Sequence, residues 1–496
     1  MQAEARERTP DVGRRAAGPA GILAALAGIY LAAFLAFYPQ VPMTVDEHAY
    51  VLQSQFLLRG GTSLIRPHPV VSSPANVTAA QYPLGTSLTM APFIALLGER
   101  GAFLPPLLGL LAGVLFTALW LRSAARPVLF AGVVLGFPAS LAMGRMALSD
   151  APSLGLVALG LWLFWRGIGS RPSWWLGSGF VAGASLLFRE TNVIPFAGFF
   201  AGALLRRERN TWALVVGGLL GTSLRLVSSQ LAYGDPFFAK TDSGFGLQYV
   251  SYALPLHLFG LLFLVPGGLA AALLYRGPRW QELLASVVVF LGVYVSFVHQ
   301  VGAQSTQASR VILELRYYLP LLPLLAFALA DVVPRLGRRI LEGLAARRRR
   351  LARRLAAAAL ALWVGGLATA AVGVNGYLAV RSRTDAAIRD TLLAHVETDA
   401  VVVSNAVATM KYFPVLAFDY PVTDIERLSD WQLEDLVRRH AEYYLVILDR
   451  TDGGPWWLAR SRQYESRIAS LEPVPRLVLD TWPSPTRRLR IWRVAR

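Results

Sequence analysis

The first apolar stretch, Gly21 to Tyr38, constrains this chain more than any other feature. Its 18 residues carry no charge, and at about 1.5 Å of rise per residue they nearly cross a hydrocarbon core of roughly 30 Å. In lipid every backbone N–H and C=O must be met within the segment, so such a run folds as a helix. The pattern then repeats. Segments near 21–38, 102–121, 127–147, 152–166, 174–189, 192–205, 211–228, 255–275, 282–299, 317–333 and 355–378 are apolar, with arginine-bearing gaps between them. That pattern predicts an α-helical polytopic membrane protein with about eleven transmembrane helices. A further apolar stretch, Pro83 to Leu97, is short for a span and reads as a re-entrant or interfacial helix.

Composition agrees. Of 496 residues 54% are hydrophobic and only 16% charged, whereas a soluble domain carries about a quarter charged residues. The net charge of +17 raises nucleic acid as a partner, but its distribution excludes that class. The basic residues sit in short clusters between apolar segments, as topology signals do. Cysteine is absent, which removes disulfides, thiolate catalysis and Cys-ligated zinc together.

Arginine sets the expected orientation. With Pro83–Leu97 left out of the span count, one side receives Arg122/Arg126, Arg166/Arg171, Arg206/Arg207/Arg209, Arg276/Arg279 and the run from Arg335 to Arg354. The positive-inside bias makes that side cytoplasmic. Residues 1–20, with Arg6, Arg8, Arg14 and Arg15, are then a cytoplasmic tail before a retained first span. Residues 21–380 form the transmembrane domain, with a first outer loop at 39–101. An odd span count leaves residues 381–496 outside. This last part reads as a soluble α/β domain: Asp399–Ser404 and Tyr443–Asp449 are β-branched, apolar strands, Ser429 caps a helix to Arg439, and Arg476–Trp482 with Arg488–Val494 form a hairpin. It has no Gly-rich phosphate loop.

The chemistry-bearing stretch is Asp46-Glu47-His48-Ala49-Tyr50, directly after the first span. Thr44 and Glu47 have capping-box spacing, which predicts a short surface helix stopping at Gly60-Gly61. The bland reading is that both acids merely satisfy a helix N-terminus. Sorting along the chain argues for more. The rare polar residues at outer span ends are Asp46, Glu47, His48, Tyr82, Arg145, Asp150, Arg189, Glu190, Lys240, Asp242, Arg310, Glu314 and Arg316. Acids open the series, and cations gather later. Each also has a plain explanation: Asp150 as a cap, Arg189-Glu190 as a neutralising pair, Lys240 and Arg316 as snorkelling side chains. Together, one half suits deprotonating a hydroxyl and the other suits holding a phosphate.

An outer loop opening Asp46-Glu47-x-x-Tyr50, the turn Tyr82-Pro83-Leu84-Gly85, the second acid in Ser149-Asp150 and the late Arg316-Tyr317-Tyr318-Leu319-Pro320 resemble the GT-C glycosyltransferases. The likeness is to the glycosyltransferase family 39-like branch of protein mannosyltransferases and aminoarabinose transferases, and it covers roughly residues 20–330. The resemblance implies an inverting membrane enzyme that moves a monosaccharide from a polyprenyl-phosphate donor to an extracytoplasmic lipid, glycan or protein. In it, Asp46 corresponds to the catalytic acid of the first loop and Asp150 to the second-loop acid. Glu47 is expected to work beside Asp46, with His48 and Tyr82 on the acceptor side, and Arg189, Lys240 and Arg316 on the donor phosphate. One departure stands: aminoarabinose transferases carry a lysine where this chain has Gln81-Tyr82-Pro83, which puts that sugar and phosphate contact in question. The sequence requires no cofactor and leaves a divalent metal open at the clustered acids. The expected location is the bacterial inner membrane, with the active site and the C-terminal domain extracytoplasmic. Two other classes are weighed: a lipid-linked-sugar flippase or transporter, and a non-catalytic membrane protein with an outer ligand-binding domain. No pair of broken segments in repeated halves favours the former.

Overall fold

The computed structural model describes residues 17–60, 82–237, 245–297, 315–344, 346–397, 401–404, 422–424, 442–450, 455–471, 474–485 and 487–495. The chain begins with α1 (Ala17–Ala36), the first span, and α2 (Val45–Leu58). The capping box forms as the spacing predicts: Thr44 Oγ1 accepts from Glu47 N at 3.2 Å, and Glu47 Oε2 accepts from Thr44 N at 3.0 Å. Next come α3 (Gly85–Leu97) and α4 (Leu104–Ser123), joined by a 3₁₀ turn at Gly98–Phe103. Gln53 of α2 donates to Tyr82 O just before α3, at 3.3 Å, and Gln55 donates to Glu99 Oε1 just after it, at 3.0 Å. One turn of α2 therefore reaches residues at both ends of α3.

The middle of the chain comprises α5 (Val133–Gly136), α6 (Pro138–Met143), α7 (Asp150–Gly167), α8 (Pro172–Ala184), α9 (Ala197–Leu205), α10 (Thr211–Tyr233), α11 (Val250–Leu264), α12 (Gly268–Leu274), α13 (Trp280–Val295), α14 (Leu322–Glu342) and α15 (Ala346–His395). Among the described residues five helices are long and apolar enough to cross a membrane, or six if the pair bent by 95° around residues 265–267 is one span. The other expected spans are built from shorter or broken pieces. The segment at 127–147 is a 3₁₀ turn plus α5 and α6, interrupted at Pro138, and the one at 192–205 enters through a 3₁₀ turn containing Pro195. Proline removes an N–H and ends regular helix. Inside a bundle, neighbouring groups can meet the freed carbonyls. The protein is a multi-pass membrane protein.

Small residues set how closely the helices approach. A Cβ at Gly179 would run into Leu214 O, one at Gly183 into Gly218 O, one at Gly217 into Leu176 O, and one at Gly221 into Phe180 O. Helices α8 and α10 thus touch backbone to backbone along two small-xxx-small stripes, the usual membrane solution when hydrophobicity alone cannot drive association. Gly109 of α4 meets Pro152 of α7 in the same way.

The two ends of the bundle carry different chemistry. At one, Arg126 and Arg335 both pair with Asp331, Arg279 bridges Glu208 at 2.6 Å and Glu282 at 3.4 Å, and Arg206 meets Glu282 at 2.5 Å. Arginines from four separate sequence gaps therefore share one end. The groups of the candidate site lie at the other.

The C-terminal domain holds a five-stranded sheet: β1 (Val401–Ser404), β2 (Val422–Asp424), β3 (Glu442–Arg450), β4 (Arg476–Ser484) and β5 (Arg487–Ala495), in the order β2-β1-β3-β5-β4. Strands β1, β2 and β3 are parallel, and β4 and β5 are the expected terminal hairpin. One face packs on Ile388, Leu392 and Val396 at the end of α15, and the other on Tyr464 and Ile468 of α16 (Pro455–Ala469). The domain boundary drawn at residue 381 falls inside the 50-residue α15. Ser382 Oγ accepts there from Gln40 N at 2.8 Å and Val41 N at 3.2 Å. The helix expected at 429–439 lies outside the described residues.

Overpacking a close contact costs about 1–3 kcal/mol. Gly183→Leu should therefore lower the thermal stability of the detergent-solubilised protein by several degrees and reduce its yield. Gly218→Ala, whose Cβ would lie 4.0 Å from the nearest atom, should match wild type in the same melt.

Candidate active site

Residue Asp46 stands at the second position of α2, where the capping box orients the helix start. Its side chain is 36% exposed; Oδ1 accepts from the Tyr82 hydroxyl at 2.7 Å and Oδ2 from Arg316 Nη2 at 3.2 Å. Burial, reinforced by the negative charge of Asp46, holds the Tyr82 phenol well above its ordinary pKa, so it stays a hydrogen-bond donor at neutral pH. Tyr82 is itself pinned. Its carbonyl accepts from Tyr233 OH at 2.6 Å and Gln53 Nε2 at 3.3 Å, and its ring lies 4.8 Å from that of Tyr50.

A second ion pair stands beside the first. Asp150, 1% exposed at the start of α7, accepts from Arg189 Nη1 at 2.8 Å. The Tyr317 ring joins the two pairs, because the Arg189 guanidinium lies 4.8 Å from its centroid and that of Arg316 5.2 Å. Cation–π contacts of this kind favour weakly hydrated guanidinium groups. Behind Tyr317 stacks Tyr294 at 5.7 Å, whose hydroxyl meets Thr191 Oγ1 at 2.7 Å. Tyr50 OH donates to Ser149 Oγ at 3.3 Å, tying α2 to the residue before Asp150. The structure therefore gathers Asp46, Tyr82, Asp150, Arg189 and Arg316 at one end of the bundle. A half-open carboxylate sits beside guanidinium groups, an arrangement chemically able to accept a proton next to a bound anion.

Glu47, expected to work beside Asp46, makes the capping-box contacts and further ones. It is fully buried and faces away from the basic pair: Oε2 accepts from Met43 N at 2.9 Å, Thr44 N at 3.0 Å and Thr44 Oγ1 at 3.1 Å, and Oε1 accepts from Ala147 N at 2.9 Å. Burial pushes its carboxyl up while these hydrogen bonds pull against that shift. With both oxygens occupied, Glu47 ties two elements together. His48 is also buried, at 5% exposure. Arg145, grouped with the outer polar residues by sequence, is buried as well, donating from Nη1 to Asn375 O at 2.6 Å and from Nη2 to Phe37 O at 2.7 Å. Arg189 and Glu190 do not neutralise each other: Glu190 pairs with Arg225 at 3.0 Å. Lys240, with Asp242, Arg310 and Glu314, lies outside the described residues. Sequence reading missed Tyr317, Tyr233 and Thr191 as site residues. Tyr317 adjoins Arg316, but nothing in spacing announces a ring shared by two arginines. Among the described residues no group of three or more His, Cys, Asp or Glu side chains converges as a metal site.

No known protein family matches the chain by sequence, and no curated protein matches it. In three dimensions it is similar to ArnT from Cupriavidus metallidurans. Against the apo structure the TM-score is 0.65 at 15% identity, covering 95% of this chain and 98% of that one. Against the structure bound to undecaprenyl phosphate it is 0.60 at 14% identity, covering 96% and 98%. At such identity the likeness shows the fold, and it is the GT-C-type fold that the sequence resemblance implied.

The two neighbouring acids should separate in a stability measurement. Losing hydrogen bonds to a buried charged group costs about 1.5–3 kcal/mol each, so Glu47→Ala should sharply lower the melting temperature and yield. Asp46→Asn, on a half-exposed side chain, should melt within a degree or two of wild type. Equal melts for both variants would mean that Glu47 does not hold the two elements together.

Proposed function

We propose that this protein is an inverting GT-C glycosyltransferase that takes its sugar from a polyprenyl-phosphate donor and delivers it to an acceptor hydroxyl outside the cytoplasmic membrane. The observation that carries the reading is the Asp46–Tyr82–Arg316 contact, coupled through Tyr317 to Arg189–Asp150. The fold adds support, since one solved neighbour, ArnT, is bound to undecaprenyl phosphate.

In this reading Asp46 is the general base. The acceptor oxygen attacks the anomeric carbon as Asp46 takes its proton. The bond from that carbon to the phosphate oxygen breaks with its electron pair, and polyprenyl phosphate leaves. Configuration inverts in the single displacement. Arg316 and Arg189 hold the phosphate and meet the charge that grows on it, which is where preorganised cations act most strongly. Without donor, Arg316 neutralises Asp46. An arriving phosphate competes for that guanidinium and leaves Asp46 free to accept a proton. Tyr82 keeps Asp46 oriented through the exchange, and Asp150 holds Arg189. Lys240 belongs to the same phosphate side by sequence order. The arginines supply the positive charge, so the reading needs no cofactor. The bacterial inner membrane is the expected location, with the site and C-terminal domain on its outer side.

Purified enzyme would be assayed with a synthetic polyprenyl-phosphate sugar and the cell's own envelope acceptors. Asp46→Asn should lower transfer by about 10²-fold or more, the usual scale for a lost base. Arg316→Ala should weaken use of the donor far more than Arg316→Lys, by about tenfold or more for a lost charge-assisted contact. Full activity of Asp46→Asn would sink the mechanism. Transfer should survive chelation by EDTA, and loss that added Mg²⁺ restores would add a metal to the site. Alkaline phosphatase fused after Val380 should be active and a fusion within 336–344 inactive; the reverse would invert the membrane side.

A further inference from the structure

The C-terminal domain contains a cavity of about 700 Å³ between the end of α15 and the sheet. Its floor is one cross-strand row: Tyr444 of β3 pairs with Arg493 of β5, which pairs with Arg476 of β4. Its wall is the helix end, with Leu393, His395 and Glu397. Like charges directly opposite each other in a sheet are unfavourable unless something neutralises them. On the other face of the same hairpin this need is met: Arg490 meets Asp449 at 2.5 Å and also pairs with Glu465, and Arg488 meets Asp480 at 2.6 Å. In the cavity, Glu397 pairs with Arg493 at 3.0 Å. Arg476, exposed on the edge strand, has no carboxylate partner among the described residues.

We propose that this cavity binds an oxyanion-bearing saccharide, a uronic acid or a sugar phosphate, with the anion between Arg476 and Arg493. Guanidinium forks match carboxylate and phosphate oxygens. Glu397 is the polar group placed to take hydroxyls, and Leu393 gives an apolar surface for a ring. Position argues against a lipid headgroup. From Ser382, held at the mouth of the first outer loop by Gln40 and Val41, His395 lies about 20 Å further along α15 at the usual helical rise. Binding there is independent of transfer at Asp46.

The test is isothermal titration calorimetry on the full chain in detergent, with glucuronate and glucose 6-phosphate as probes and glucose and inorganic phosphate as controls. The expected result is saturable binding of at least one anionic sugar, unchanged by Asp46→Asn. Arg476→Gln should weaken it by about tenfold or more, and Arg476→Lys should recover part of the loss. Several results would overturn the proposal: no binding of either anionic sugar, equal binding by Arg476→Gln, or binding of glucose or bare phosphate as tight as the sugar acids. Displacement of the sugar by phosphatidylglycerol nanodiscs would assign the arginines to a headgroup instead.

Discussion

A carboxylate with no exposed surface keeps its place only if its oxygens are met, and Glu47 meets them from two elements at once. Three donors come from the α2 entry at Met43 and Thr44, and the fourth is Ala147 N, in the turn that leads into α7. Breaking such a buried contact is costly, so the start of α2 is locked to that turn. The lock brings Asp46 and Asp150 to the same end of the bundle although they lie a hundred residues apart. Arg145 adds a second tie, joining the end of α1 to the middle of α15. The geometry of the site is therefore inherited from buried polar contacts around it, and its own exposed groups contribute little rigidity.

The charges of the site are arranged in mutual compensation. Two carboxylates face two guanidiniums, and both guanidiniums lie against one tyrosine ring. At the edge of a low-dielectric body an isolated charge is expensive, and pairing lowers that cost. Pairing also makes the site exchangeable. In the proposed mechanism an anion that takes the Arg316 guanidinium releases Asp46 from it, so ligand binding and base activation are one event. The Asp46 side chain is the more exposed of the two acids, and Asp150 is buried. In the proposed mechanism that asymmetry suits Asp46 to react and Asp150 to support.

Sequence reading reached the architecture because lipid leaves few options. Apolar run length, arginine sorting and the absence of cysteine pointed to a multi-pass helical protein with a C-terminal α/β domain; the strands at 401–404 and 442–450 lie where β-branched patterning put them, and those at 476–484 and 487–495 where a terminal hairpin was expected. The Thr44–Glu47 capping box was equally legible, since it depends on residues three apart. Run length could not reveal which spans break, because Pro138 and Pro195 are tolerated only where neighbours cover the interrupted backbone.

Long-range partners were beyond one-dimensional reach. Capping-box spacing already separates Glu47 from Asp46 locally. Spacing could not show that Asp46 meets Arg316 or that Glu47 also takes the distant Ala147 N. Likewise Arg189 and Glu190 look like a pair in sequence, yet each finds a different partner across the bundle. The sequence by itself determined the solvent of the chain, the order of its elements and the end at which its acids and arginines collect, because hydrophobicity and local capping act over a few residues. Which acid stays open, which is spent as a buried tie, and which ring joins the two arginines were decided by tertiary structure, because the deciding contacts, Asp46 with Arg316, Glu47 with Ala147 and Arg189 with Tyr317, join residues about a hundred positions or more apart.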